Sequence, residues 1–256
     1  MYSFLICVVA LIASYFIYGK AIERIAGVDE SVETPVHRLE DGVDYIPMSR
    51  WKLYLVHFLN IAGLGPIFGA IQGALFGPAA FLWIVFGTIF IGAVHDFFSG
   101  FLSLRSDGFT MPDIISKYLG STAHKIVAVL IVITGVLVAA TFATGASDLL
   151  ADLTGIPTII WLVIVFVYFL VATLFPVDKI IGRVYPIFGA IFLLMAILMI
   201  GALFLNPSYT IPEFTTQGLY LSDKSIFPYL FVTIACGAIS GFHASQSPIV
   251  ARCMTT

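Results

Sequence analysis

Seven stretches of this chain run for about 20 residues each with almost no charge, at 2–19, 53–74, 79–104, 125–147, 158–175, 184–205 and 226–250. About 20 mostly apolar residues are what a helix needs to cross a bilayer. Within hydrocarbon only a helix or a closed barrel satisfies its own backbone, and these runs are too long for barrel strands and do not alternate at every second residue. The expected fold is therefore an all-α, multi-pass transmembrane bundle. Of the 256 residues 60% are hydrophobic and 11% charged, against roughly 25% charged in a soluble domain. That is too little polar surface for a soluble enzyme or a nucleic-acid binder, and the expected surroundings are a lipid bilayer. Cys7, Cys236 and Cys253 show neither disulfide nor metal-ligand spacing, so no cofactor and no metal is expected. The first run has no basic residue before it and no small-residue cleavage site, and reads as a retained span rather than a signal peptide.

Charge placement sets the expected orientation. The loops after spans one, three and five, with the tail, hold Lys20, Arg24, Arg38, Arg50, Lys52, Arg105, Lys117, Lys125, Lys179, Arg183 and Arg252; only Lys224 falls on the other side. The positive-inside rule puts the first group in the cytoplasm and the N-terminus outside. The polar loop 20–52 also carries acidic residues, so it is not a simple anionic-lipid anchor. Residues 106–124 are expected to hold a short interfacial helix with Pro112 in its first turn. Residues 206–225, with Pro207 and Pro212, read as an external loop. Three units follow: 1–52, the first helix and its cytoplasmic loop; 53–205, five spans of which the first is discontinuous; and 206–256, the external loop and a second discontinuous helix.

Spans two and seven differ from the rest. One holds Asn60-Ile61-Ala62-Gly63-Leu64-Gly65-Pro66-Ile67-Phe68-Gly69, the other Cys236-Gly237-Ala238-Ile239-Ser240-Gly241-Phe242-His243-Ala244-Ser245-Gln246-Ser247-Pro248. Proline lacks an N–H and its ring collides with the carbonyl four residues back. Unwinding inside a membrane is tolerated only against protein or a wet cavity. Counting about 1.5 Å per residue from each span's start puts both breaks near the middle of a roughly 30 Å core. The two helices run in opposite directions, the signature of inverted repeats whose discontinuous helices form a central substrate site. Free N–H groups of a half-helix hold an anion and freed carbonyls a cation. The competing reading of the glycines is close helix–helix packing.

The candidate substrate- or ion-binding residues are Asn60, Gly63, Gly65, Pro66, Gly237, Ser240, Gly241, His243, Ser245 and Gln246. The candidates for proton coupling are His57, His95 and Asp96, ionisable groups at similar depth within spans two and three. No catalytic residue is expected: Ser240, Ser245 and His243 suggest an intramembrane hydrolase, but no Gly-x-Ser-x-Gly turn occurs.

Several blocks resemble the carbon starvation protein A family of bacterial inner-membrane transporters. They are Asp41-Gly42-Val43-Asp44-Tyr45-Ile46-Pro47; His57-Phe58 with Ala62-Gly63-Leu64-Gly65-Pro66; Gly92-Ala93-Val94-His95-Asp96-Phe97 with Ser103-Leu104-Arg105-Ser106-Asp107-Gly108; and Ala235 to His243. Where family members often have Phe-Gly-His-His-Phe, this chain has Tyr54-Leu55-Val56-His57-Phe58, and Gly69-Ala70 replaces a second Gly-Pro. The resemblance implies secondary active import of peptides, or of small organic acids such as pyruvate, during carbon starvation. It implies a proton rather than sodium as coupling ion, and kinship with the broken-helix, five-plus-five inverted-repeat fold of amino acid-polyamine-cation transporters. On that plan four more spans are expected after the seventh. A membrane haem or redox protein and a passive channel are the alternative readings.

Overall fold

The computed structural model describes residues 2–174, 177–206, 208, 210–214 and 223–255, with 177–186 described by their backbone alone. Pro207, much of the expected external loop, and the side chains of Lys179 and Arg183 lie outside the described residues. The protein is helical, and the only bridge among the described residues joins Met48 to Met254.

The first helix, α1, runs Tyr2–Ala26. Its apolar run was expected to end at Gly19, but the helix continues through Lys20 for another two turns. It stops at Gly27, whose φ of 67° suits a residue without a side chain. The short α2 (Pro35–Leu39) follows. Span two is a bent pair, α3 (Arg50–Ile61) and α4 (Leu64–Phe76), meeting at 51°. Span three is α5 (Ala79–Leu104), widened by a π-helical turn at Thr88–Gly92. The expected interfacial helix is α6 (Met111–Leu119), with Pro112 in its first turn and Thr110 Oγ1 donating to Asp113 Oδ2 at 2.5 Å.

Then come α7 (Ser121–Thr154), α8 (Thr158–Leu174) and α9 (Val177–Leu205). Span seven is α10 (Phe231–Ala238), led in by the turn Ile226–Leu230, and α11 (Gly241–Ala251). Among the described residues five helices are long and apolar enough to cross a membrane, and the bent pair makes a sixth. The 17 residues of α8 lie at the short end of the spanning range of about 17–25.

The two broken spans lie side by side and antiparallel, and the buried core sits at their two ends. At the end away from the basic loops, Phe76 at the end of α4 and Ala79 and Ala80 at the start of α5 pack with Leu230 and Ile234. At the basic end, Val56 of α3 packs with Met48, Val250 and Cys253. Elsewhere many of the large apolar side chains of α7, of α8 and of the described part of α9 face outward, as helices in lipid require.

The start of α1 is tied to the segment that precedes span seven. Glu213 accepts the backbone N–H groups of Tyr2 (2.6 Å) and Ser3 (2.8 Å) and the Ser3 hydroxyl (2.5 Å). Ser3 Oγ accepts the N–H of Phe214 at 2.9 Å. A carboxylate here satisfies orphan donors and complements the positive end of the helix. Glu213→Ala is expected to cost about 1–2 kcal/mol. Hydrogen exchange checks this: the amides of Tyr2 and Ser3 lose protection while those in α7 do not.

Candidate functional site

Span two leaves helical geometry at Ala62 (φ −78°, ψ 44°) and Gly63 (φ −83°, ψ −163°). Span seven does so at Ile239 (φ −142°, ψ 50°) and Ser240 (φ −81°, ψ 120°). The first break lies about 18 Å from the start of α3 and the second about 17 Å from the end of α11. The depths therefore match when both are measured from the basic end. Pro66 is not itself at the break. It is the third residue of α4, where a helix does not use the missing N–H. The first turns of α4 and α11 carry no side-chain cap, Gly63 and Ser240 standing at the capping positions. Two half-helix starts without a capping side chain among the described residues thus end at the same level, and a helix N-terminus is where an anion is held.

The glycines around the breaks do two jobs. Gly65, Gly69 and Gly73 recur every four residues along α4 and face α10. A Cβ at Gly65 would stand 2.5 Å from Cys236 Sγ, at Gly69 2.7 Å from the Thr233 carbonyl, and at Gly73 2.9 Å from Ile234. Gly237 meets the Cα of Pro66 in the same way, at 2.6 Å. Gly65, Pro66 and Gly237 therefore form a packed seam, whereas Gly63, Ser240 and Gly241 stand at the unwound points. Nothing lies within 4 Å of where a Cβ on Gly241 would be.

Each break is backed by an intact span. The Phe142 ring of α7 presses on Gly63, where a Cβ would be 2.9 Å from it, and Leu64 fills the space above Gly145. On the other side α5 presents Gly92 to the Ala238 carbonyl, leaving only 2.1 Å for a Cβ, and Gly87 to Ile239.

On the basic side of the breaks the polar side chains converge. His57 is about 10 Å into α3, His243 about 12 Å from the end of α11, and His95 about 14 Å from the end of α5. His95 Nδ1 stands 2.7 Å from Asp96 Oδ1, and Asp96 is within electrostatic reach of both His57 and His243. His243 is buried, and its ring lies edge-on to Phe242 at 6.5 Å. His57 Nδ1, both His95 ring nitrogens and Asp96 Oδ1 are buried with no well-directed hydrogen bond among the described residues. The His95–Asp96 approach is therefore a close contact rather than an aligned hydrogen bond, and such orphaned groups call for a water or an ion. Between α3 and α11 a groove of about 480 Å³ runs from the basic end past His57, lined also by Tyr54, Phe58, Ser247 and Val250.

Other candidate polar groups are less available. Ser245 Oγ donates to Phe242 O at 2.7 Å within its own helix, and Gln246 Nε2 donates to Ser245 Oγ at 3.4 Å. Asn60 is half-buried one turn beyond His57. Sequence reading missed the contact of α5 with α11. Ser247 Oγ donates to Asp96 O at 2.7 Å, and Ser103 Oγ donates to Phe109 O at 2.8 Å and to Pro248 O at 3.3 Å. Gly100 also faces Ser247. The spacing of Gly92, Asp96, Gly100 and Ser103, every three or four residues, was the available sign of a small, polar helix face.

Discontinuous helices that meet beside ionisable side chains are a feature of many secondary transporters. The chain belongs to the family described as carbon starvation protein CstA, whose model matches residues 1–160 and 145–251. It is 40% identical to an uncharacterized membrane protein of Haemophilus influenzae over 99% of this chain and 82% of that one. It is 28% identical to the peptide transporter CstA of Bacillus subtilis, covering 93% of this chain and 50% of that protein. Identity to the pyruvate/proton symporter BtsT of Escherichia coli is 26%, covering 91% and 39%. The chain thus spans half or less of the length of these two transporters. Both of these relatives carry the names of transporters. The Haemophilus alignment runs over 306 positions, so about 50 of them have no counterpart in this 256-residue chain. The two family matches overlap at 145–160, the end of α7 and its turn into α8. No solved structure matches the chain.

Proposed function

We propose that the chain forms the substrate-binding part of a secondary active importer for peptides or small carboxylates such as pyruvate, driven by protons. The observation that carries this reading is the pair of opposed helices broken at one depth, with uncapped half-helix starts at Gly63 and Ser240. A substrate carboxylate is held by N–H groups at the starts of α4 and α11 and flanked by Asn60 and Ser240. His57, His95–Asp96 and His243 take up and release the coupling proton, and their charge biases the two access states. The breaks let the halves of spans two and seven tilt against α5 and α7. The five spans 53–205 act as one inverted repeat, and span seven opens the second. The basic loops face the cytoplasm of a bacterial inner membrane, with the N-terminus outside.

The test is uptake of labelled pyruvate and dipeptides into proteoliposomes, with and without an imposed pH gradient. Accumulation above equilibrium that collapses when the gradient is dissipated is expected. Equilibration that ignores the gradient would mean a passive path instead.

A further inference from the structure

Residues 41–48 lie across the basic end of the half-helix α11. Asp41 shapes this strap: Oδ1 accepts the N–H groups of Val43, Asp44 and Tyr45 at 2.8, 2.8 and 2.9 Å. Those bonds hold the Asp41 carboxyl below its ordinary range. The strap then runs alongside the residues after α11. Met48 N donates to Cys253 O at 3.1 Å, and Thr255 Oγ1 donates to Met48 O at 3.2 Å. Ile46, Met48 and Cys253 are buried by this contact.

One ion pair keys the arrangement. Arg252 Nη2 donates to Asp44 Oδ1 at 2.7 Å, and its guanidinium lies 5.4 Å from the centre of the Tyr45 ring. The Tyr45 hydroxyl donates to Asp107 O at 2.7 Å, tying the strap to the turn after α5. Arg38 pairs with the Asp107 carboxylate. Gly108, with φ 81°, leaves room for Tyr45: a Cβ there would lie 2.6 Å from the ring. The strap thus joins the end of α11, the end of α5 and the start of α3.

Two features make the closure releasable. Asp44 is 57% exposed against 14% for Arg252, so water solvates the released carboxylate. Arg252 Nε is buried without a partner, so the guanidinium is held by one oxygen and one ring face rather than a two-pronged fork.

We propose that residues 41–48 are a latch, keyed by Asp44, Tyr45 and Arg252, that holds α11 closed at the basic end and must release for the groove beside His57 to open. The gating role rests on the transport reading above; the latch itself does not.

Cys253 is a built-in reporter. Its thiol is covered by the strap, and burial holds its pKa above the ordinary thiol range, so less of it is thiolate and a maleimide reacts slowly. In chain reconstituted in nanodiscs, with Cys7→Ser and Cys236→Ala removing the other thiols, Asp44→Asn and Arg252→Gln each speed Cys253 labelling by about fivefold or more. Tyr45→Phe, losing only the hydroxyl bond, gives a smaller rise. Asp44→Glu and Arg252→Lys keep the charges and stay within about twofold of the parent. Parent-like rates in the charge-removing variants overturn the latch, as does equal acceleration in the charge-keeping ones. Where the parent accumulates substrate, a Met48→Cys/Met254→Cys disulfide blocks uptake and a reductant restores it. Uptake unaffected by the disulfide overturns the gating role. A parent that transports nothing counts against the transport reading, while the labelling still decides the latch.

Discussion

Valine at Gly92 or Gly237 is expected to destabilise the protein by about 3 kcal/mol or more, the upper range for forcing atoms into a packed interior. A Cβ at Gly92 would stand 2.1 Å from the Ala238 carbonyl, and one at Gly237 would stand 2.6 Å from the Cα of Pro66. Both obstacles are main chain, which no rotamer change moves aside. Ala238 is the last residue of α10 before the break, so a side chain on Gly92 pushes directly on the unwound segment. Gly135 and Gly201 serve as controls: both are helical with open space around them, and valine there is expected to change stability by no more than about 0.5 kcal/mol. Thermal unfolding in detergent or nanodiscs reads the difference. Equal losses at all four sites would show that the close approach of α5 and α4 to span seven is not what holds the breaks.

Asp96→Asn is expected to lower gradient-driven accumulation by about 100-fold or more, the usual size of a lost proton-transfer group. Asp96 Oδ1 stands 2.7 Å from His95 Nδ1, and His57 and His243 belong to the same cluster. Asparagine keeps the shape, and the Asp96 backbone carbonyl still accepts Ser247 and Ser99. The fold is therefore expected to survive. Exchange of labelled for unlabelled substrate across the membrane, which needs no net proton movement, is expected to persist. Loss of exchange together with accumulation would assign Asp96 to substrate binding or to folding rather than to proton movement.

Much of this architecture is legible in the chain because membrane solvation simplifies the signals. A missing charge over 20 residues and the odd-loop bias of Lys and Arg are local patterns, and they mark the helices. The two breaks are legible because Gly and Pro cluster with polar residues at matching depth in two spans that run in opposite directions. Their exact place is not: Pro66 draws attention, yet the chain bends at Ala62–Gly63 and leaves Pro66 harmless in the first turn of α4. Helix α1 outruns its apolar stretch because polarity marks the edge of the lipid and not of the helix, which ends at Gly27. The seam of Gly65 and Gly237 and the strap on α11 depend on partners far apart in sequence. Asp44 and Arg252 are 208 positions apart, and no local periodicity announces such a pair.

Backbone carbon chemical shifts from magic-angle-spinning NMR of the chain in lipid bilayers test the opposed breaks most directly. Residues 62–63 and 239–240 are expected to show extended or turn-like values, flanked by helical values along Arg50–Ile61, Leu64–Gly73, Phe231–Ala238 and Gly241–Ala251. Unbroken helical shifts from 50 to 73 and from 231 to 251 would contradict the account.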